Sequence, residues 1–180
     1  MKEKQEKMKK KVYAFDIETT GLDPFNSKVV AIGLKDEKGN EIIFFAENYD
    51  EKEILENFKE FLKKNKPILI TFNGKKYDIP FLIIRAIKYN IDLSILQKIE
   101  VIDLYEKIKE IYPDAKIKLS QIREFLGMHR LIDITGRSIP ELYEDYVKGN
   151  EDAKEKIIMH LKDDVKVTLE LWKRMKKLIK

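Results

Sequence analysis

Two carboxylates placed two residues apart, Asp16 and Glu18, are the part of this sequence best suited to chemistry. Residues 12–17 predict a buried β-strand, and Gly21 marks its end. Side chains alternate along a strand, so both carboxylates point the same way and can share a cation. Without one they would repel each other, and Mg²⁺ or Mn²⁺ prefers such oxygen ligands. The pair alone would suit a solvated strand end better than a metal site.

A third acid, Asp78, lies at a predicted strand-to-helix junction. An apolar run over residues 67–72 predicts a second buried strand, and residues 81–87 predict a helix with Asp78 near its start. Asp78 could simply cap that helix, after an ordinary Asn73-Gly74 turn. Capping does not exclude metal binding, because Asp78 would face Asp16 if the two strands were neighbours.

A histidine and a fourth acid lie in a helical pattern that runs from about Asp152 to the C-terminus. His160 and Asp164 are four residues apart, so they lie on one face of a helix. Asp163 is three residues from His160 and is expected to point partly aside. Asp164 is therefore the better candidate, although either residue alone would suit an ordinary surface or core position.

Together these groups resemble the Exo I, Exo II and Exo III motifs of the DEDD family of 3′–5′ exonucleases. The matching residues, in motif order, are Asp16 and Glu18, Asn73-x-x-x-Tyr77-Asp78, and His160-x-x-x-Asp164. The sequence is similar to the proofreading domain of family-B DNA polymerases and to stand-alone archaeal and bacterial YprB-type exonucleases. The resemblance runs from Lys11 to about Met175.

The third motif is a mixed case. Its four-residue step is that of the tyrosine subclass, but histidine stands in the tyrosine position, and the histidine subclass would need an acid at Val165. YprB-type relatives resemble the chain here, with histidine followed four residues later by Asp-Val. They also resemble it over Arg130-x-x-Asp133-Ile134-x-Gly136-x-x-x-Pro140-x-Leu142-Tyr143.

The resemblance implies a two-metal site and a substrate groove. The expected ligands of two Mg²⁺ or Mn²⁺ ions, roughly 4 Å apart, are Asp16, Glu18, Asp78 and Asp164. His160 would orient or deprotonate the attacking water. The residues implied for the substrate are Thr19, Gly21 and Leu22 at the terminal nucleotide, with Phe72, Asn73 and Tyr77 in the same groove. For Phe72 and Tyr77, a role in the core is equally open.

Composition predicts one domain of 180 residues, 43% of them hydrophobic. No apolar run is long enough to span a membrane, and the first residues lack the apolar core of a signal peptide. Without cysteine there is no disulfide, zinc–thiolate site or cysteine nucleophile. We therefore expect a cytoplasmic protein.

Positive charge is concentrated at the ends of the chain. Residues 1–11 hold six lysines and two glutamates, which equals the whole formal excess of +4. We expect residues 1–10 to form a flexible basic tail and residues 11–180 to form a single exonuclease domain. Such a tail could bind a polyanion through counterion release or could merely aid solubility.

The predicted fold class is α/β, an RNase H-like mixed central sheet flanked by helices. Strands are expected at 28–35, 41–46, 68–72 and 99–103 in addition to the first. Helices are expected at 51–64, 79–89, 120–126, 139–148 and 153–179.

Three functions compete. The first is a metal-dependent 3′–5′ exonuclease acting on single-stranded DNA. The second is an exoribonuclease with the same site, because the motifs define the phosphodiester chemistry and not the sugar. The third is a catalytically silent nucleic-acid-binding subunit. No obligatory polymerase partner is implied, and a homo-oligomer stays open.

Overall fold

A computed structural model describes residues 10–179. The expected basic tail, apart from Lys10, lies outside the described residues. The five strands form one sheet in the order β3-β2-β1-β4-β5. They span Val12–Thr19 (β1), Val29–Asp36 (β2), Glu41–Phe45 (β3), Ile68–Thr71 (β4) and Val101–Asp103 (β5). Strands β1 to β3 pair antiparallel, whereas β4 runs parallel to both β1 and β5, so the sheet is mixed as predicted.

Six α-helices accompany the sheet in the described part of the chain. They span Glu51–Asn65 (α1), Asp78–Lys88 (α2), Leu104–Ile111 (α3), Leu119–Phe125 (α4), Ile139–Val147 (α5) and Glu151–Met175 (α6). None of the helices within residues 10–179 is both long and apolar enough to cross a membrane.

Alternation along β1 separates the core from the candidate site. Tyr13 and Phe15 pack against the aromatic rings of Phe61 and Phe58 on α1. The intervening side chains point to the opposite face of the sheet, against which α6 packs. Asp16 belongs to that second set, so it faces the long helix and not the aromatic core.

A glycine on β2 lets α6 lie close to the sheet. Gly33 pairs with Asp16 across the β1–β2 ladder. A Cβ atom on Gly33 would lie 2.7 Å from Cγ of Leu161, a residue of α6. Any larger residue would push the helix outward, together with His160 and Asp164. This close approach is what allows one helix face to meet the end of β1.

The turn from β4 into α2 is fixed by Asp103, the last residue of β5. The buried Asp103 carboxylate accepts hydrogen bonds from the backbone N–H groups of Asn73 at 2.7 Å and Lys75 at 3.1 Å. Asn73 has a left-handed φ of +63°, and a Cβ on Gly74 would lie 2.0 Å from a side-chain oxygen. This tight turn brings Asp78 to the edge of the sheet beside β1.

A second buried acid, Glu51, holds the loop that follows β1. Its carboxylate accepts hydrogen bonds from Arg85 Nε at 2.9 Å, Arg85 Nη2 at 2.7 Å, Tyr89 Oη at 2.9 Å and Val29 N at 2.7 Å. Arg85 also donates to the carbonyl oxygen of Pro24 at 2.9 Å. The loop over residues 20–28 is therefore tied to this ion pair at Pro24, in its middle, and at Val29, directly after its end.

Candidate active site

The four acids predicted as metal ligands come together at one edge of the sheet. Asp16 and Glu18 come from β1, Asp78 from the first turn of α2, and Asp164 from α6. The negative charges of Asp78, Asp164 and Glu18 all act on the carboxyl group of Asp16. Because β4 is the parallel neighbour of β1, the β4–α2 junction reaches the site as the sequence analysis required.

His160 lies between two of these acids. Its Nδ1 atom is 2.6 Å from Oε1 of Glu18 and 3.9 Å from Oδ2 of Asp164. One ligand atom from each of the three residues falls within a group whose members are all within 4.8 Å of one another. The four-residue step on α6 therefore places both side chains on the face that meets β1.

The pKa values of Asp16 and Asp78 are raised by burial and by the neighbouring acids. Burial, reinforced by the charges of Asp78, Asp164 and Glu18, holds the pKa of Asp16 well above its ordinary value. Burial also raises the pKa of Asp78 from its ordinary 3.8 to about 7, and the charges of Glu18 and Asp103 add to that effect. Both groups are thus poorly compensated as anions.

The Glu18–His160 contact shifts two further pKa values. Burial raises the pKa of Glu18, although its hydrogen bond with His160 opposes the change. Burial alone would lower the pKa of His160, but the hydrogen bond and the charge of Glu18 raise it overall. The histidine is thereby biased toward the imidazolium form while Glu18 is ionised.

The donor set fits a hard divalent cation. Carboxylate oxygens with one imidazole are suitable ligands for Mg²⁺ or Mn²⁺. The repulsion that raises the pKa values of Asp16 and Asp78 would be relieved by positive charge at the centre of the cluster. The residues present therefore match the ions that the sequence resemblance implies.

Arg123 is a site residue that the sequence analysis missed. Its Nη2 atom lies 2.6 Å from Oδ1 of Asp164 and 3.4 Å from Oδ2 of Asp163. Asp163 is buried and accepts a hydrogen bond from the backbone N–H of Leu131 at 3.3 Å, and it does not belong to the group formed by Glu18, His160 and Asp164. No sequence signal marked Arg123, which lies on the short helix α4 and reaches Asp164 only through the tertiary fold.

Two cavities open on either side of the segment from Ile17 to Leu22. The larger, about 760 Å³, contains Asp16, His160 and Asp164 in its lining. Its wall also carries four basic residues, Lys118, Arg123, Arg130 and Arg137. The smaller, about 280 Å³, is lined by Tyr77 and Asp78. Acidic and basic groups thus face one another across an open cleft.

The residues expected to bind substrate divide into two groups. Thr19, Gly21 and Leu22 line both cavities, and the Leu22 side chain is 93% exposed. Tyr77 lines the smaller cavity and is 53% exposed, so the core role left open for it is not the one observed.

The remaining two expected residues lie elsewhere. Phe72 packs edge-on against the ring of Tyr105 and joins the hydrophobic cluster that includes Ile70, Leu104 and Val167. Among the described residues that line the two cavities, neither Phe72 nor Asn73 occurs. For Phe72 the geometry supports the core role, and Asn73 shapes the β4–α2 turn through its backbone.

Comparisons with known proteins agree with this architecture. A sequence profile of the RNase H superfamily matches residues 13–176. The chain is 34% identical over 163 residues to an uncharacterised protein of Methanocaldococcus jannaschii, covering 88% of this chain and 91% of that protein. It is 25% identical to DNA polymerase 2 of Aeropyrum pernix over 89% of this chain but only 22% of the polymerase.

A solved structure shows the same relationship. The family B DNA polymerase of Pyrobaculum calidifontis superimposes with a TM-score of 0.79 at 25% sequence identity. The match covers 93% of this chain and 25% of the polymerase chain. The RNase H-like fold and the resemblance to family-B polymerase exonucleases, both predicted from the motifs, are confirmed.

Proposed function

The chain belongs to the RNase H superfamily, and we propose that it is a metal-dependent 3′–5′ exonuclease that removes nucleotides from single-stranded DNA. The observation that carries this proposal is the convergence of Asp16, Glu18, Asp78 and Asp164 beside His160. Such a cluster is electrostatically unfavourable by itself. Divalent cations would neutralise it and could also bind a phosphodiester.

Two Mg²⁺ or Mn²⁺ ions would be held by the four carboxylates. When bound, such a pair supplies a lowered pKa for water and neutralises charge on a departing 3′ oxygen. The contribution of the chain is to hold the four carboxylates on three rigid elements, so that little reorganisation accompanies substrate binding. The deprotonated forms of Asp16 and Asp78 are the forms that serve this purpose.

His160 is assigned to the proton of the attacking water. In the described arrangement its Nδ1 atom lies 2.6 Å from Oε1 of Glu18, so with Glu18 ionised Nδ1 carries the donated proton and Nε2 is the nitrogen that can accept one. Glu18 is itself a proposed metal ligand, and the neutral tautomer with its proton on Nδ1 is the form of His160 that can act. An imidazole that gains a proton in this way acts as a general base near neutral pH.

The cleft suits an unpaired polyanion. Lys118, Arg130 and Arg137 on the larger cavity can contact phosphates without reading sequence. The exposed side chains of Leu22 and Tyr77 offer apolar surface for stacking or packing against a terminal base. These features favour a single strand over a duplex.

We favour DNA over RNA as the substrate, because the polymerases to which the chain is similar are named DNA polymerases. An exoribonuclease that uses the same carboxylates is the second candidate. Neither the tail–domain division at residue 10, nor cytoplasmic location, nor a homo-oligomer is needed for this activity. They stay predictions, as does independence from a polymerase partner.

One degradation assay tests the proposal. Oligonucleotides of single-stranded DNA, duplex DNA and RNA, each labelled at the 5′ end, are incubated with the protein and either Mg²⁺ or EDTA. We expect a ladder that shortens from the 3′ end of single-stranded DNA with Mg²⁺ and no products with EDTA. Faster degradation of RNA would favour the second candidate. Cleavage in EDTA, or loss of the 5′ label as mononucleotide first, would contradict the proposal.

A further inference from the structure

The guanidinium of Arg123 is buried, which is uncommon for an arginine side chain. Its side chain is only 6% exposed, and its partners are two acidic side chains of α6, Asp163 and Asp164. A buried cation of this kind is tolerated when acidic groups compensate it. The arrangement therefore ties α4 to the face of α6 that carries His160.

The two oxygens of Asp164 have different surroundings. Oδ1 accepts a hydrogen bond from Arg123 Nη2 at 2.6 Å. Oδ2 is on the side of His160, 3.9 Å from its Nδ1 atom. With Oδ1 held from α4, the carboxylate cannot rotate freely, and Oδ2 is the oxygen left for a ligand in the site.

Asp163 holds the other side of the guanidinium. Its Oδ2 atom is 3.4 Å from Arg123 Nη2 and accepts a hydrogen bond from Leu131 N at 3.3 Å. Its Oδ1 atom and the Nε atom of Arg123 are both buried without a hydrogen-bond partner among residues 10–179. Because these two atoms do not bond to each other, Arg123 is paired only partly with Asp163. Its shortest contact is the one with Asp164.

We propose that Arg123 is a positioning residue that orients Asp164 for metal binding, with Asp163 as its anchor. This inference rests on the proposed function, since it assigns the metal site a supporting residue. Hydrogen-bonded partners behind metal ligands commonly account for about 10–100-fold in metal affinity. Arg123 acts through the Oδ1 atom of Asp164 and touches neither ion nor water.

Phosphate binding is the competing role for Arg123, because its side chain lines the larger cavity. The two roles differ in what they change. An orienting arginine sets the affinity for the metal in the absence of nucleic acid. A phosphate-binding arginine sets the affinity for nucleic acid and leaves the affinity for metal unchanged.

Mn²⁺ binding to the full chain, followed by electron paramagnetic resonance without nucleic acid, separates these roles. We expect Arg123→Gln to weaken Mn²⁺ binding about 10–100-fold. Arg123→Lys should recover part of that loss, since lysine can still donate to Oδ1. Arg174→Gln, which removes an exposed arginine paired with Glu170, is the charge-matched control and should bind Mn²⁺ as the wild type does.

Loss of Arg123 alone leaves Asp163 as a buried uncompensated charge and can unfold the protein. The double variant Arg123→Met/Asp163→Asn removes both charges and is expected to stay folded, as judged by its thermal midpoint. It should still bind Mn²⁺ more weakly than the wild type. A folded double variant with wild-type Mn²⁺ affinity would overturn the positioning role. A wild-type protein that binds no Mn²⁺ at all would overturn the proposed function, and this inference with it.

Discussion

Two buried acidic regions of this molecule are built in opposite ways. The buried carboxylate of Glu51 is surrounded by hydrogen-bond donors. It accepts hydrogen bonds from Arg85, Tyr89 and the backbone N–H of Val29. At the other end of the same loop, Asp16 is surrounded by three further carboxylates. One acid is compensated by the fold itself, and the other is left short of positive charge.

The difference indicates which region serves stability and which serves chemistry. A buried ion pair that is fully hydrogen-bonded fixes a loop and needs no other partner. A cluster of carboxylates with raised pKa values costs free energy unless a bound cation neutralises it. Within residues 10–179 the cations that contact the cluster are His160 and Arg123, which together do not match four acids.

The largest expected effect is loss of turnover when an acid of the cluster is neutralised. Asp16→Asn removes a proposed metal ligand and should lower the rate of single-strand degradation by about 10⁴-fold, or ~5 kcal/mol of transition-state stabilisation. Its thermal midpoint without metal should rise, because repulsion is relieved. Glu60→Gln, on the exposed face of α1, is the control. An active Asp16→Asn protein would remove Asp16 from the site.

The histidine sharpens the comparison, because it is the side chain of α6 that contacts Glu18 of β1 directly. His160→Ala should slow turnover by roughly 10²–10⁴-fold, the usual span for a lost general base. His160→Tyr should recover part of this loss, since a phenol can orient water but stays protonated near neutral pH. Single-turnover rates at saturating Mg²⁺ provide the measurement. A wild-type rate for His160→Ala would make the histidine a packing residue.

Breaking the compensated region should cost stability. Arg85→Met leaves Glu51 buried without its cation and should lower the free energy of unfolding by about 3–5 kcal/mol. Urea denaturation measures the change. The double variant Arg85→Met/Glu51→Met should recover much of it, because no charge is then left unpaired. If Arg85→Met were as stable as the wild type, the pair would not hold the loop.

The pH dependence of the metal-free protein gives a smaller effect of opposite sign to ordinary acid unfolding. Asp78 has a folded-state pKa of about 7 against 3.8 ordinarily, so the folded state binds the proton more tightly. Its contribution to stability is therefore full below about pH 4 and is lost as the pH rises toward and through 7. Thermal midpoints measured in EDTA should fall across this window, and Asp78→Asn should flatten the fall. An identical profile for the variant would contradict the assignment.

The sequence predicted the parts of the site that depend on local periodicity. Two-residue spacing on β1 put Asp16 and Glu18 on one face, and four-residue spacing on α6 did the same for His160 and Asp164. Both are consequences of backbone geometry and need no knowledge of distant contacts. The resemblance then gave the mixed sheet, whereas the neighbouring placement of β4 and β1 was only a condition for Asp78 to face Asp16, and the structure meets it.

The remaining features depend on tertiary contacts that no local pattern encodes. Gly33 is required only because Leu161 approaches it from a helix more than a hundred residues away. In the sequence, Arg123 and Asp163 cannot be distinguished from ordinary surface charges. They are buried together only because α4 packs against α6. Phe72 directly precedes the second motif in sequence and follows the last residue of β4. Its ring nevertheless packs against Tyr105 and not in the cleft.

The central claim is that the uncompensated acids form a divalent cation site, and an Mn²⁺ binding isotherm tests it most directly. Metal-free protein at pH 7.5 is titrated with Mn²⁺ in the absence of nucleic acid, alongside Asp16→Asn and Arg85→Lys. We predict binding that approaches two ions per chain in the wild type and in Arg85→Lys, and a severe loss in Asp16→Asn. Binding that is absent from the wild type, or unchanged in Asp16→Asn, would contradict the account.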